Sequence, residues 1–334
     1  MNKKNWTYKN NLNSISLLYK YYFPCTMTIE VNTTCSTLAT NSNSTIMSNG
    51  SSSSSNMTDS TVFVLVTDQA YLHKTKRTIL DLRTRGMWLG DIVLINIDNA
   101  YLGQNYLDFY HVQEKKFPII DEKYELLQKL HYAPFLDSID GREISKVNQW
   151  EKLHVMDPYF RKWDRVVFVD SGLRVLDDVY STILQLDYRG KFLAPDDGGN
   201  FVELPNPNKL FHTQVSQANV SRLNKLKEDF PKVEELQEPY FLNCMWVYDT
   251  AILDICNKAE MIQGMLDYPV CLTNEMTMMN LFIHFKYGLW ERFPVRAHNG
   301  KILFDWCEAN NPKPSSWRDY CFIKYPNTIT FEDT

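Results

Sequence analysis

Several apolar runs in this chain stop abruptly on a carboxylate. Arg165-Val-Val-Phe-Val169 ends on Asp170, with Gly172 two positions later. Val62–Val66 runs into Thr67-Asp68, Asp91–Ile97 closes on Asp98, and Phe192–Ala194 closes on Pro195-Asp196. Each Asp alone is also explained as a turn or capping residue. Together they carry more weight. A run of four or five apolar residues reads as a strand buried on both faces of a parallel sheet. Ligands of open α/β sheets collect where the carboxyl ends of such strands meet. A crevice lined with carboxylates suits a ribose or hexose, or a divalent metal carrying a diphosphate. A Gly beside the Asp lets a ligand approach the backbone.

The elements that would position these residues alternate. Strand Val62–Val66 is followed by a helix over Tyr71–Arg85, with Leu72, Ile79 and Leu82 on one side, ending near Gly86. A second strand, Asp91–Ile97, completes a crossover unit. Val147, Trp150 and Leu153 stand at helical spacing ahead of the strand Val166–Val169. Phe192–Ala194 and Leu242–Tyr248 are further strands, and Met276, Met279 and Ile283 mark a helix after Thr273, a candidate N-cap. Such alternation predicts an α/β fold with a mainly parallel sheet flanked by helices. No G-x-G-x-x-G follows the first strand, so the dinucleotide fingerprint is absent.

Composition narrows the partners. The chain has 334 residues, a net charge of −5 and 44% hydrophobic residues, enough for a sizeable core. The mild acidity argues against nucleic acid, which demands a basic footprint. No run of eighteen apolar residues exists, so no membrane span is expected. Ile15–Phe23 is short, broken by Lys20, and does not read as a signal peptide. The seven cysteines, at 25, 35, 244, 256, 271, 307 and 321, form no C-x-x-C pair, which makes a zinc site or disulfide framework unexpected. Cys244 and Cys256 read as buried thiols, and the compartment as reducing and cytoplasmic. Residues 36 to 60 are almost wholly Ser, Thr, Asn and small residues, so 1–60 reads as a disordered low-complexity N-terminal tail and 61–334 as a single domain. Sequons such as Asn56-Met-Thr58 arise by chance in such a composition.

At this point the residues resemble a family. The chain is similar to the glycogenin-like retaining glycosyltransferases, family 8-like enzymes with the GT-A nucleotide-diphospho-sugar transferase fold. The likeness is distant and spans roughly residues 62 to 306. Thr67-Asp-Gln-Ala-Tyr71 is similar to the segment that binds uridine, which implies that Tyr71 stacks on the base and that Thr67 and Asp68 hold the nucleoside, with the strand-end Asp98 expected beside them. Glu151-Lys-Leu-His154 resembles a segment whose Lys contacts the donor, hence Lys152. Phe168-Val-Asp-Ser-Gly172 stands in the place of the metal-binding Asp-x-Asp. Leu193-Ala-Pro-Asp196 resembles the loop whose Asp holds the donor sugar, and Phe241–Tyr248 the strand whose Asn, here Asn243, contacts it. Asn274-Glu275 stands where the family has Asp-Gln before a helix, and this puts the carboxylate of Glu275 near the reacting carbon. His298-Asn-Gly300 resembles the late His and Gly that complete the metal site and touch the diphosphate.

The resemblance implies transfer of a hexose from a nucleoside-diphosphate sugar, a UDP-hexose, to a hydroxyl of a glycan or protein acceptor, with retention. The implied cofactor is Mn2+ or Mg2+ on Asp170 and His298, with Gly300 and Lys301 at the diphosphate. Three departures bear on this. Gly172 replaces the second metal-binding Asp, and Asn274-Glu275 replaces Asp-Gln. The Lys-Pro-Trp after the late His is missing, with Lys301 and Trp306 as loose substitutes. A metal-free site in which Arg174 or Lys301 balances the diphosphate is the alternative. So is a catalytically silent GT-A module that binds a glycan or nucleotide sugar; a nucleotidyltransferase is a third reading.

Other residues have simpler readings. His73, His111, His131, His154, His212 and His284 read as surface or satisfied core histidines, and Trp88, Trp246 and Trp290 as core. Leu223–Glu238 reads as a solvated helix face, and Asp196-Asp-Gly-Gly199 as a flexible turn.

Overall fold

The structure, a computed structural model, describes residues 59–131, 147–197, 210–215, 220–233, 237–271, 273–306 and 317–324. The proposed tail up to residue 58 and Gly198-Gly199 lie outside the described residues. In chain order the strands are β1 (Thr61–Thr67), β2 (Asp91–Asn96), β3 (Val112–Lys115), β4 (Arg165–Val169), β5 (Leu173–Val175), β6 (Phe192–Ala194), β7 (Met245–Asp249), β8 (Trp290–Arg292), β9 (Ile302–Trp306) and β10 (Tyr320–Lys324). The helices are α1 (Leu72–Thr84), α2 (Gln104–Phe109), α3 (Glu122–His131), α4 (Val220–Asp229), α5 (Lys258–Asp267) and α6 (Glu275–Met279). A 3-10 helix, Val147–Met156, precedes β4, and α6 continues as a π-helical stretch, Asn280–Lys286.

The fold is α/β. Seven strands form one sheet in the order β3-β2-β1-β4-β7-β6-β8. Pairings β1–β2, β1–β4, β2–β3 and β6–β8 are parallel, while β7 runs antiparallel to both β4 and β6. Strands β1, β4 and β7 are buried along their whole length, which is why they read as unbroken apolar runs rather than as alternation. Phe168 and Trp246 stack across β4 and β7 with ring centroids 3.8 Å apart, and Phe192 on β6 extends the aromatic layer to Trp246 and Tyr248.

A second sheet, β5-β10-β9, starts just past the end of β4. β10 pairs antiparallel with β5 and parallel with β9, which places Lys324 opposite Leu173 and beside Trp306. Helix α1 ties this sheet to β4. Thr78 on α1 donates from Oγ1 to the Leu173 carbonyl at 2.9 Å and accepts from the Gly172 N–H at 3.1 Å. Asp81 on α1 holds the buried Arg174 at 2.5 Å. Among the described residues no helix is long and apolar enough to cross a membrane. Cys244 and Cys256 are buried free thiols, and burial pushes each up to about 12.

Three sequence expectations are corrected here. The strand expected over Leu242–Tyr248 starts at Met245, because Asn243-Cys244 form a turn ahead of it and the Leu242 N–H is taken by the Pro195 carbonyl. Thr273 is not the N-cap of α6; that position falls to Asn274, and the Thr273 hydroxyl turns to Gln214 and Thr277. Trp290 is half-buried rather than core, whereas Trp88 and Trp246 are buried.

Candidate functional site

The reversed direction of β7 builds the site. Its beginning lies beside the ends of β4 and β6, so Asn243, just ahead of β7, shares one edge with Asp170 and Asp196. The Asp170 N–H donates to the Cys244 carbonyl at 2.8 Å, and Asp196 forms an isolated bridge with Phe241. The parallel strands β1 and β2 deliver Asp68 and Asp98 to the same edge.

The candidate site residues divide into two groups. Asp68 and Asp98 are joined by a residue the sequence reading does not single out. Asn148, on the 3-10 helix, donates from Nδ2 to Asp68 Oδ2 at 3.1 Å and to Asp98 Oδ2 at 2.9 Å. Asp98 and Asn99 both have left-handed backbones, φ 56° and 51°, a conformation that short polar residues tolerate and that turns the chain back at the end of β2. Tyr71 is half-buried; its N–H donates to Asp68 Oδ1 at 2.9 Å, and the ammonium of Lys74 lies 5.0 Å from its ring centroid. Thr67 is different. It is buried, and its hydroxyl accepts from Thr75 Oγ1 at 2.7 Å. Thr75 also meets Ser171 Oγ at 2.7 Å, and Ser171 donates to the Val66 carbonyl. Thr67 thus fastens α1 to the ends of β1 and β4.

The second group surrounds Asp170. Lys152, from the same 3-10 helix as Asn148, places its ammonium 3.4 Å from Asp170 Oδ1 and 3.3 Å from Glu275 Oε1. Asn243 donates from Nδ2 to Glu275 Oε1 at 2.5 Å. Asn274 Nδ2 donates to Gln149 Oε1 at 2.7 Å, which ties the start of α6 to that helix. Asn274 sits at φ 56°, a left-handed residue at the start of α6. Two buried oxygens here, Asn274 Oδ1 and Glu275 Oε2, have no hydrogen-bond partner among the described residues. Most buried polar atoms in folded proteins find a partner. Asp196 is buried and held by Arg292 Nε at 3.0 Å.

Lys324 is the residue the sequence reading misses entirely. From the end of β10 its ammonium donates to Asp170 Oδ2 at 2.7 Å and to the Ser171 carbonyl at 2.8 Å. Its strand, Tyr320–Lys324, is a short apolar run closing on a charge, the same pattern that flags Asp170. The charges at this point oppose burial. Burial alone would raise Asp170, but Lys152 and Lys324 outweigh it and hold the carboxyl below the usual range. Burial alone would lower Lys152, but Asp170 and then Glu275 raise it. For Glu275 burial wins over Lys152, and the carboxyl is raised.

The residues present do not fit a divalent metal of the expected kind. Both oxygens of Asp170 face ammonium groups. A dication beside them would meet repulsion of about 4 kcal/mol per unit-charge pair at 4 Å and an effective dielectric of 20. The expected second ligand, His298, is elsewhere. It lies in an exposed turn whose neighbours Asn299 and Lys301 are bonded to Asp177, at 2.7 and 3.0 Å. That turn leads into β9 at Ile302, whereas Lys324 is paired with Trp306 at the other end of β9. Five strand residues separate the ends by roughly 13 Å. Gly300, at φ 82°, closes the turn, and Lys301 is committed to Asp177, so neither reaches Asp170. Among the described residues no group of three or more His, Cys, Asp and Glu converges as a metal site. Arg174, the other cation considered for a metal-free site, is engaged by Asp81.

No family model matches the chain, and no curated protein matches it. Some solved structures are similar to it over part of the chain. WbbM, described as a bifunctional glycosyltransferase, superposes with a TM-score of 0.48 at 14% identity over 80% of this chain and 46% of its own length. The galactosyltransferase LgtC, in complex with donor and acceptor sugar analogs, gives a TM-score of 0.48 at 12% identity over 79% of this chain and 86% of its own. Core-mannan synthase A (Ktr4) from Aspergillus fumigatus, in a Mn/GDP form, gives a TM-score of 0.44 at 9% identity over 72% and 74%.

Proposed function

We propose that the chain is a GT-A glycosyltransferase that takes a hexose from a nucleoside-diphosphate sugar, a UDP-hexose, and passes it to a hydroxyl of a glycan or protein acceptor with retention. The observation that carries the reading is the convergence of Asp170, Lys152, Glu275 and Asn243, residues up to 123 positions apart in sequence, at one edge of the sheet. Asp68, Asp98 and Asn148 supply the polar end of a nucleoside site, and Tyr71 an aromatic face for the base.

The chemistry follows from where charge develops. The bond from the anomeric carbon to the β-phosphate oxygen breaks, and its electron pair stays on that oxygen. The acceptor oxygen forms the new bond to the same carbon, and its proton passes to the departing phosphate. Ammonium groups beside Asp170 meet the growing phosphate charge. Asp196, Glu275 and the amide of Asn243 orient the sugar hydroxyls and stabilise positive charge on the sugar.

The test is nucleoside-diphosphate release from a panel of UDP- and GDP-sugars, with mass spectrometry of any product. Release that survives unchanged in both Asp170→Ala and Asp196→Ala would refute this site. A second reading, a GT-A module that binds without transferring, is favoured by Gly172 at the position of a metal-binding Asp. Calorimetric binding of UDP with no release from any donor would select it.

A further inference from the structure

We infer that Lys324 and Lys152 take the place of the divalent ion, so that this chain binds the diphosphate of its donor through two ammonium groups and without metal. The inference rests on the donor reading above and deepens it.

Lys324 is fixed in place by backbone. β10 is paired on both sides, and the ammonium is held by the Ser171 carbonyl as well as by Asp170. An ammonium has three donors. Two of those on Lys324 are used among the described residues, which leaves one to offer a phosphate oxygen. Lys152 is held by Asp170 on one side and Glu275 on the other. Both ammonium groups gather at the one carboxylate of Asp170, and Lys152 also meets Glu275. A diphosphate arriving here gains charge-assisted bonds from both.

The backbone explains why a second acidic ligand is missing. Gly172 has φ 88°, where a side chain is strained, and an added Cβ would stand 3.1 Å from Lys74 Cδ. The position taken in the family by an acidic ligand is thus filled by the stem of a third lysine, whose ammonium continues toward Tyr71. In this arrangement Asp170 is a positioning residue. It orients two cations rather than ligating one.

Calorimetry on the full chain tests this with UDP, GDP and the corresponding monophosphates, each in EDTA and in manganese. The expected result is diphosphate binding of equal strength in both conditions. Lys324→Met should weaken the diphosphate by on the order of tenfold or more while leaving the monophosphate within error. Lys324→Arg, which keeps the charge, should retain most of the affinity. Should Lys324→Met fail to fold, the wild-type comparison in EDTA and the Arg variant still decide. Binding that appears only with manganese and ignores Lys324→Met overturns the inference and leaves the donor reading standing. So does binding of manganese alone that is lost in Asp170→Asn. If neither diphosphate binds in any condition, the donor reading falls and takes this inference with it.

Discussion

Asp170 sits between two lysines that keep it ionised against burial, and its neighbour Glu275 is pushed the other way. The two carboxyls therefore shape stability with pH in opposite senses. Asp170 contributes fully above the ordinary aspartate value of about 4, and its contribution fades as pH falls through its lowered folded value. Replacing it by Asn leaves two lysines without their anion. We expect Asp170→Asn to cost on the order of 3 kcal/mol in urea denaturation at neutral pH, with the gap to wild type narrowing as the solution is acidified below pH 4. Glu275 behaves in reverse. Its folded carboxyl resists ionisation, so wild type loses stability as pH rises from the ordinary glutamate value of about 4.3 through the raised folded value. Glu275→Gln should gain on wild type across that rise, and parallel urea titrations between pH 4 and 7 would show the curves diverging; parallel curves would remove burial as the dominant influence.

The element that matters most is the 3-10 helix Val147–Met156, which carries Asn148 to one group and Lys152 to the other. Asn148→Asp would set a third carboxylate beside Asp68 and Asp98. Like charges at that range repel by about 1 kcal/mol or more, so UDP affinity should fall several-fold in calorimetry while Asn148→Ser falls less. Gly172→Ala tests the strand end. Its φ of 88° and the 3.1 Å approach to Lys74 predict a cost of about 1–3 kcal/mol and a lower melting temperature; an unchanged melting temperature would deny that the turn is constrained. Element by element, the sequence reveals β1, β2, β4 and β6 and the helix α1, because strands buried on both faces show as apolar runs and an amphipathic helix shows its stripe. It does not reveal the direction of β7, since an apolar run carries no sign of parallel or antiparallel pairing. Nor does it reveal Lys324, whose contact with Asp170 closes a separation of 154 residues through a second sheet. His298 misleads for the same reason: its place in the chain says nothing of the Asp177 anchor that holds its turn away.

At the scale of the whole molecule, the shared edge of Asp68, Asp98, Asp170 and Asp196 is legible from strand ends, because sheet topology gathers them, whereas Asn243 reaches it only through the reversed direction of β7. The identity of the cation is not legible, because it depends on side chains that arrive from outside the sheet. The low-complexity composition of residues 36–58, which precede the first strand, leads us to propose that the domain folds without residues 1–58. A chain beginning at Asp59, which keeps the bonds of Asp59 to Arg189 and of Ser60 to Asp164, should melt within a degree or two of the full chain and bind UDP equally. The most direct measurement is release of nucleoside diphosphate from UDP- and GDP-sugars with glycan and protein acceptors, comparing wild type with Asp170→Asn and Asp196→Asn of verified fold. The account predicts turnover by wild type with at least one donor and a loss of about a hundredfold or more in each variant. Equal turnover by all three proteins would contradict it.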